Sequence, residues 1–133
     1  MDEDYITVVC GIILENSKIL VAQRGPTMFL PGKWELPGGK RENNESDKEC
    51  LVRELVEELG IRVHVGSFFD SEKHKYDFIK INLIAYFADI VGGNANPSEH
   101  LTVTWVEKEM LSKLDWAAAD IPIIDKLINS DLI

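Results

Sequence analysis

The apolar residues of the first segment fall on both parities. Residues 5–14 are rich in Ile, Val and Thr without strict alternation, the pattern of a strand covered on both faces. Glu15-Asn16-Ser17-Lys18 reads as a turn and residues 19–23 as a second strand. Residues 25–33 contain Gly25, Pro26, Pro31 and Gly32 and read as a loop; a short extended piece at 34–36 follows, ended by Pro37-Gly38-Gly39. At Glu45 the period changes. Good helix formers run to Leu59, and Gly60 stands where a helix end favours a residue that accepts the left-handed conformation. Residues 61–69, 78–91 and 101–106 are strand-like, with a loop at 92–97. Residues 107–114 suit a short helix, and Ile121, Ile124, Leu127 and Ile128 lie at helical spacing in 121–128. Strands around one long helix, with another helix at the end, predict an α/β fold with a sheet between helices. The chain has 133 residues and no linker, repeat or low-complexity stretch, which fits one domain, 1–133.

The segment 45–59 carries the most informative chemistry. On a helix at about 100° per residue, with Glu54 at zero, Glu57 falls near −60° and Glu58 near +40°. Three carboxylates thus share one stripe. Leu51, Leu55, Leu59, Val52 and Val56 span about 60–200°, a broad apolar face expected to be buried. Like charges at this spacing repel by a few tenths of a kcal/mol per pair. A hard divalent cation relieves that repulsion, and Mg²⁺ prefers oxygen ligands completed by water and phosphate. The plain alternative is a solvated acidic face with Arg53, Lys48 and Arg41 as local partners, and spacing alone does not separate the two.

Charge sharpens the picture. The formal net charge is −9, with 23 acidic and 14 basic residues. Such a chain repels nucleic-acid backbones and free polyphosphates unless a cation intervenes, so no nucleic-acid polymer is expected as a partner. No run of about 18 apolar residues suggests a membrane span, and the acidic start Met1-Asp2-Glu3-Asp4 lacks the basic region of a signal peptide. A cytoplasmic location is expected, as monomer or homodimer. Cys10 and Cys50 are the only cysteines, sit in apolar segments and form no metal-binding pattern.

The spacing around the acidic stripe carries a resemblance. Gly39, five residues, Glu45, seven residues, Arg53-Glu54-Leu55, Val56, Glu57-Glu58, Leu59, Gly60-Ile61 fills every fixed position of a pattern that resembles the Nudix box. With so many constrained positions over 23 residues, chance agreement is remote. The approach Trp34-Glu35-Leu36-Pro37-Gly38-Gly39-Lys40 looks like that of MutT-type members, and Ala118-Ala119-Asp120-Ile121-Pro122 is similar to the C-terminal segment of the CTP pyrophosphohydrolase-like branch. The resemblance implies the Nudix fold, an α/β/α sandwich around a mixed β-sheet. It implies a Mg²⁺-dependent hydrolase (Mn²⁺ as a possible substitute) that converts a nucleoside triphosphate and water to the monophosphate and pyrophosphate. It also implies roles. Glu54, Glu57, Glu58, Glu99 and the Gly38 carbonyl would ligate metal. Glu54 or Glu99 would take the proton from water. Arg53 and Glu45 would orient the carboxylates, Gly39 would support the box, and Lys40 would sit near the phosphates.

The base-binding end is less constrained. Asp120 precedes the helical stretch 121–128, where an aspartate caps free N–H groups; the resemblance places a nucleobase contact there. An ionised Asp only accepts hydrogen bonds, which favours bases with an amino or N–H edge, cytosine or guanine, modified or oxidised forms included. Arg24 is a second candidate near the base, or a surface arginine. Phe29 and Trp34 are candidates for stacking, or packing anchors beside a Pro-rich loop. Trp116 reads as core, Met28 has no assigned role, and His64 alternates with Val63 and Val65 and reads as solvent-facing. His64, His74 and His100 show no metal-like spacing. Cys50 falls on the carboxylate side of the helix and Cys10 in a strand, both read as packing. Two rival readings stay open: a Nudix hydrolase of another nucleoside diphosphate derivative, such as a sugar conjugate or dinucleoside polyphosphate, and a non-catalytic Nudix module that binds a nucleotide or a protein. Modules of that kind usually lose box carboxylates, and this chain keeps them.

Overall fold

Strand β1 (Ile6–Glu15) sends alternate side chains into two different cores, which is why both parities of its sequence are apolar. Val9 and Ile13 pack with Leu51, Leu55 and Leu59 of helix α1 (Asp47–Leu59). Cys10 and Ile12 pack with Ile123, Ile124 and Leu127 of helix α2 (Ile121–Ile128). In this computed structural model residues 4–96, 100 and 102–133 are described.

The sheet runs β3 (Trp34–Glu35), β2 (Lys18–Gln23), β1, β6 (Lys80–Gly92), β5 (Arg62–Lys75), with β4 (Gly38–Lys40) also paired to β1 and β7 (Thr102–Glu107) to β2. β1 and β6 are parallel and the other pairs antiparallel. The mixed sheet lies between α1 and α2, the α/β/α arrangement expected from the sequence. One edge of β1 is shared: Val8, Val9 and Cys10 pair with β4, while Leu14 and Glu15 pair with β2. The chain from β3 to β4 spans that divide, and the Gly11 N–H donates to the Pro37 carbonyl at 2.8 Å. The split places the end of β3, the glycines of β4 and the inner edge of α1 side by side. Asn16 and Ser17 join β1 to β2 with positive φ angles of 52° and 65°, matching the strand twist.

Helix α1 starts two residues later than its propensities suggest. Ser46 accepts from the Glu49 N–H, and the Glu49 side chain accepts from the Ser46 N–H, a reciprocal capping box. Gly60 ends the helix at φ 71°. The apolar face is narrower than expected: Leu51, Leu55 and Leu59 are buried, but Val52 and Val56 are 39% and 48% exposed. The sheet contacts the side of α1 that runs from Cys50 through Leu51 to Leu59, so the buried arc is rotated toward the carboxylates. Strand β5 continues to Lys75, six residues beyond 69, because Asp70–Lys75 keep register with β6 along an edge where polar side chains remain solvated. Residues 108–113 form a 3₁₀ helix instead of the expected α-helix. No helix among the described residues is long and apolar enough to cross a membrane.

Candidate active site

Rotating the buried arc of α1 brings two of its acidic residues inward. Glu54 and Glu58 are half-buried and line a pocket of about 380 Å³, whereas Glu57 stays exposed. Arg53 organises the cluster. Its Nε and Nη2 donate to both Glu45 carboxylate oxygens at 3.0 and 2.6 Å. Nη1 donates to Glu54 Oε2 at 2.8 Å and to Glu57 at 3.1 Å, and Nη2 also reaches the Lys40 carbonyl at 3.1 Å. The guanidinium hydrogen bonds hold the Glu45 carboxyl down at about 2, and the same bonds raise the Arg53 pKa further. The arginine thus ties the helix edge to β4 and to the loop before it.

Both glycines of β4 are required by close approach. A Cβ on Gly38 would fall on the Val9 carbonyl oxygen and 2.6 Å from Cys10 Cα. A Cβ on Gly39 would fall on the Glu54 carboxylate and 2.8 Å from its Cγ. Gly39 is therefore a cradle for Glu54. Cys50 is buried beside it, its Sγ 3.6 Å from the Gly39 carbonyl. Burial pushes its thiol up to about 12, so it packs and does not act as a nucleophile.

The opposite end of the pocket is formed by Arg24, Phe29, Leu36 and Asp120, with Tyr76 and His100 on its walls. Asp120 makes no helix-capping bond; its Oδ2 accepts from the Leu36 N–H at 2.9 Å. The residue is 5% exposed. Desolvation, with Glu35 adding repulsion, raises its carboxyl from 3.8 to about 8. A carboxyl buried in this way destabilises the fold when charged. The folded protein holds the proton where the unfolded chain has released it, so stability falls as pH rises from 3.8 toward about 8. Asp120→Asn keeps an acceptor for Leu36 and removes the titration. The melting-temperature difference, variant minus parent, is expected to grow across that window; a difference constant with pH would contradict the burial.

Arg24 donates through Nη1 to Glu35 Oε1 at 2.6 Å and through Nε to the Phe29 carbonyl. Phe29 meets Tyr76 edge-on at 5.4 Å, and the Tyr76 hydroxyl accepts from the Ala119 N–H at 2.9 Å.

Of the residues singled out by sequence, the pocket gathers Arg24, Phe29, Gly38, Gly39, Lys40, Glu54, Glu58 and Asp120. It does not gather Trp34, which is half-buried against the α2 core, hydrogen-bonded through its backbone to Asp115 and Ala117. Arg53, Glu45 and Glu57 form the outer bracing. Glu99 lies outside the described residues. Trp116 is core, as expected, its Nε1 donating to the Leu111 carbonyl at 2.7 Å. Met28, without a role in the sequence, lines the pocket. Sequence reasoning passed over Glu35 and Tyr76. Glu35 stands within the matched stretch 34–40, which was the available signal; Tyr76 stands among charged residues and offered none.

The NUDIX domain family model matches residues 5–127. With its complete box on a helix against a mixed sheet, the chain belongs to the Nudix hydrolase family. It is 38% identical over 120 residues to the CTP pyrophosphohydrolase of Escherichia coli K12, covering 90% of this chain and 89% of that one. It is 32% identical over 125 residues to the 8-oxo-dGTP diphosphatase of the same organism, covering 92% and 95%. A solved MutT protein from Methanosarcina mazei Go1 superposes with a TM-score of 0.83 at 27% identity, covering 98% of this chain and 99% of that one.

Nudix hydrolases generally use divalent metal ions. The residues here fit one: Glu54, Glu57 and Glu58 offer only hard oxygen donors, and Gly39 seats the first against β4. Among the described residues no three acidic, His or Cys side chains form a closed cage. An ion whose remaining positions go to water and phosphate needs no such cage.

Proposed function

We infer that the chain is a Mg²⁺-dependent nucleoside triphosphate pyrophosphohydrolase, with Mn²⁺ as a substitute metal. It adds water across the anhydride between the α- and β-phosphates and releases the monophosphate and pyrophosphate. The observation that carries this reading is one pocket with two chemically different ends: Glu54, Glu58 and Lys40 at one, Arg24, Phe29 and Asp120 at the other. A nucleotide has the same polarity, a phosphate chain at one end and a flat, hydrogen-bonding base at the other.

Glu54, Glu57, Glu58, the Gly38 carbonyl and Glu99 would hold the metal. When bound, a divalent cation neutralises phosphate charge and acidifies water. Arg53 aims Glu54 and Glu57 through its hydrogen bonds to both, and Lys40 adds a positive charge beside the phosphates. Glu54 or Glu99 accepts the proton from the attacking water. Burial keeps the Asp120 carboxyl protonated up to about 8, so it is not the acceptor-only group expected from the sequence: it offers the base edge an O–H as well as an acceptor oxygen, while Phe29 supplies an aromatic wall. Cytosine and guanine nucleotides, oxidised or otherwise modified forms included, are the inferred substrates, in keeping with the names of the two Escherichia coli relatives.

A screen of canonical and modified nucleoside triphosphates with product identification tests the reading. Monophosphate and pyrophosphate are expected in equal amounts, with turnover lost in chelator and restored by Mg²⁺. Release of diphosphate and orthophosphate, or turnover indifferent to chelator, would refute it.

A further inference from the structure

The hairpin that joins β5 to β6 turns at Tyr76, whose N–H donates to the Ile79 carbonyl at 2.8 Å. Tyr76 is half-buried and lines the pocket. Its ring meets Phe29 edge-on at 5.4 Å and His74 at 4.4 Å. Its hydroxyl reaches a different segment, accepting from the Ala119 N–H at 2.9 Å.

Ala119 is the middle residue of the 3₁₀ turn Ala118–Asp120. The first N–H groups of such a turn have no partner inside it. Ala119 is buried, so without the phenol oxygen a donor shut off from water would be left unpaired, which is costly. The same turn is held from residues 34–36 as well. The Ala117 N–H donates to the Trp34 carbonyl at 2.8 Å, and Asp120 Oδ2 accepts from the Leu36 N–H at 2.9 Å. Tyr76 adds a hold from the β5–β6 hairpin, one residue before the pocket carboxyl. A single side chain therefore contributes to the aromatic wall with its ring and braces the backbone that carries Asp120 with its oxygen.

We propose that Tyr76 is a positioning residue for base discrimination: by accepting from the Ala119 N–H it fixes the Asp120 carboxyl relative to the aromatic wall that its own ring forms with Phe29. The proposal rests on the pyrophosphohydrolase reading. Tyr76 acts through Asp120 and stays away from the reacting phosphates.

The test compares kcat/KM for the best and the poorest nucleoside triphosphate of the parent enzyme. Tyr76→Phe removes one oxygen and keeps the ring. The ratio of the two kcat/KM values is expected to fall by about tenfold, through a loss on the best substrate, while the poorest changes by no more than about twofold. A merely structural role would lower both together. In an Asp120→Ala background, where the carboxyl is already gone, adding Tyr76→Phe is expected to change the ratio by no more than about twofold. Should Asp120→Ala fail to fold, the Tyr76→Phe pattern on the two substrates decides alone; should Tyr76→Phe fail to fold, Tyr76→Leu is measured on the same pair, with the same fall in ratio expected. Equal losses on both substrates, an unchanged ratio, a full further fall in the Asp120→Ala background or a parent that turns over all bases alike would overturn the proposal. Failure of the parent enzyme to hydrolyse any nucleoside triphosphate would instead overturn the pyrophosphohydrolase reading itself.

Discussion

Glu54→Gln is expected to lower kcat by about 10²–10⁴-fold, the range for loss of a positioned acid–base group, while melting temperature changes little. Glu54 is half-buried, lines the pocket, and is held between the Arg53 guanidinium and the Gly39 backbone. The amide has the shape of the carboxylate and can still accept from Arg53, so packing survives. What disappears is the negative charge, and with it a hard ligand and a candidate base. Glu57→Gln and Glu58→Gln should follow the same pattern. Calorimetric unfolding beside steady-state rates separates the two effects. Full activity in the Glu54 variant would remove it from the reaction.

Alanine at the two glycines of β4 should produce opposite phenotypes one residue apart. Gly38→Ala drives a methyl into the β1 backbone at Val9 and Cys10. Strand backbone cannot yield without breaking the ladder, so a loss of stability of about 1–3 kcal/mol or more is expected. Gly39→Ala drives its methyl into the end of the Glu54 side chain. A flexible side chain can swing away at small cost in folding free energy, but its carboxylate then leaves the pocket edge. The Gly39 variant should therefore fold nearly normally and lose activity by about 10²-fold, as when a reacting group is displaced by an ångström. Denaturant unfolding and kcat measured on both proteins check the contrast; a stable, active Gly39 variant would show that the cradle is dispensable.

The parts of this site that lie on one continuous element were legible in the sequence. The stripe of Glu54, Glu57 and Glu58, the Arg53–Glu45 bracing and the Gly60 stop all follow from helical periodicity and fixed spacing. The parts assembled by tertiary pairing were not. Glu35 acquires Arg24 and His100 only because β3 lies against β2, and Tyr76 reaches Ala119 only because the β5–β6 hairpin extends past 69. Val52 and Val56 mislead for a related reason: apolar character marks what can be buried, and the sheet decides which arc is. Asp120 was open between cap and contact because both use the same carboxylate, and only the fold turns it toward the Leu36 N–H. Trp34 looks like a stacking residue beside a loop, yet β3 hands its ring to the α2 core.

The most direct measurement is a crystal structure with Mn²⁺ and a non-hydrolysable α,β-imido cytidine or guanosine triphosphate, read by anomalous scattering. The account places the manganese signal against Glu54 and its neighbours on α1, phosphates beside Lys40, and the base between Phe29 and Asp120. Manganese and phosphates bound elsewhere, with the inner edge of α1 bare, would contradict it.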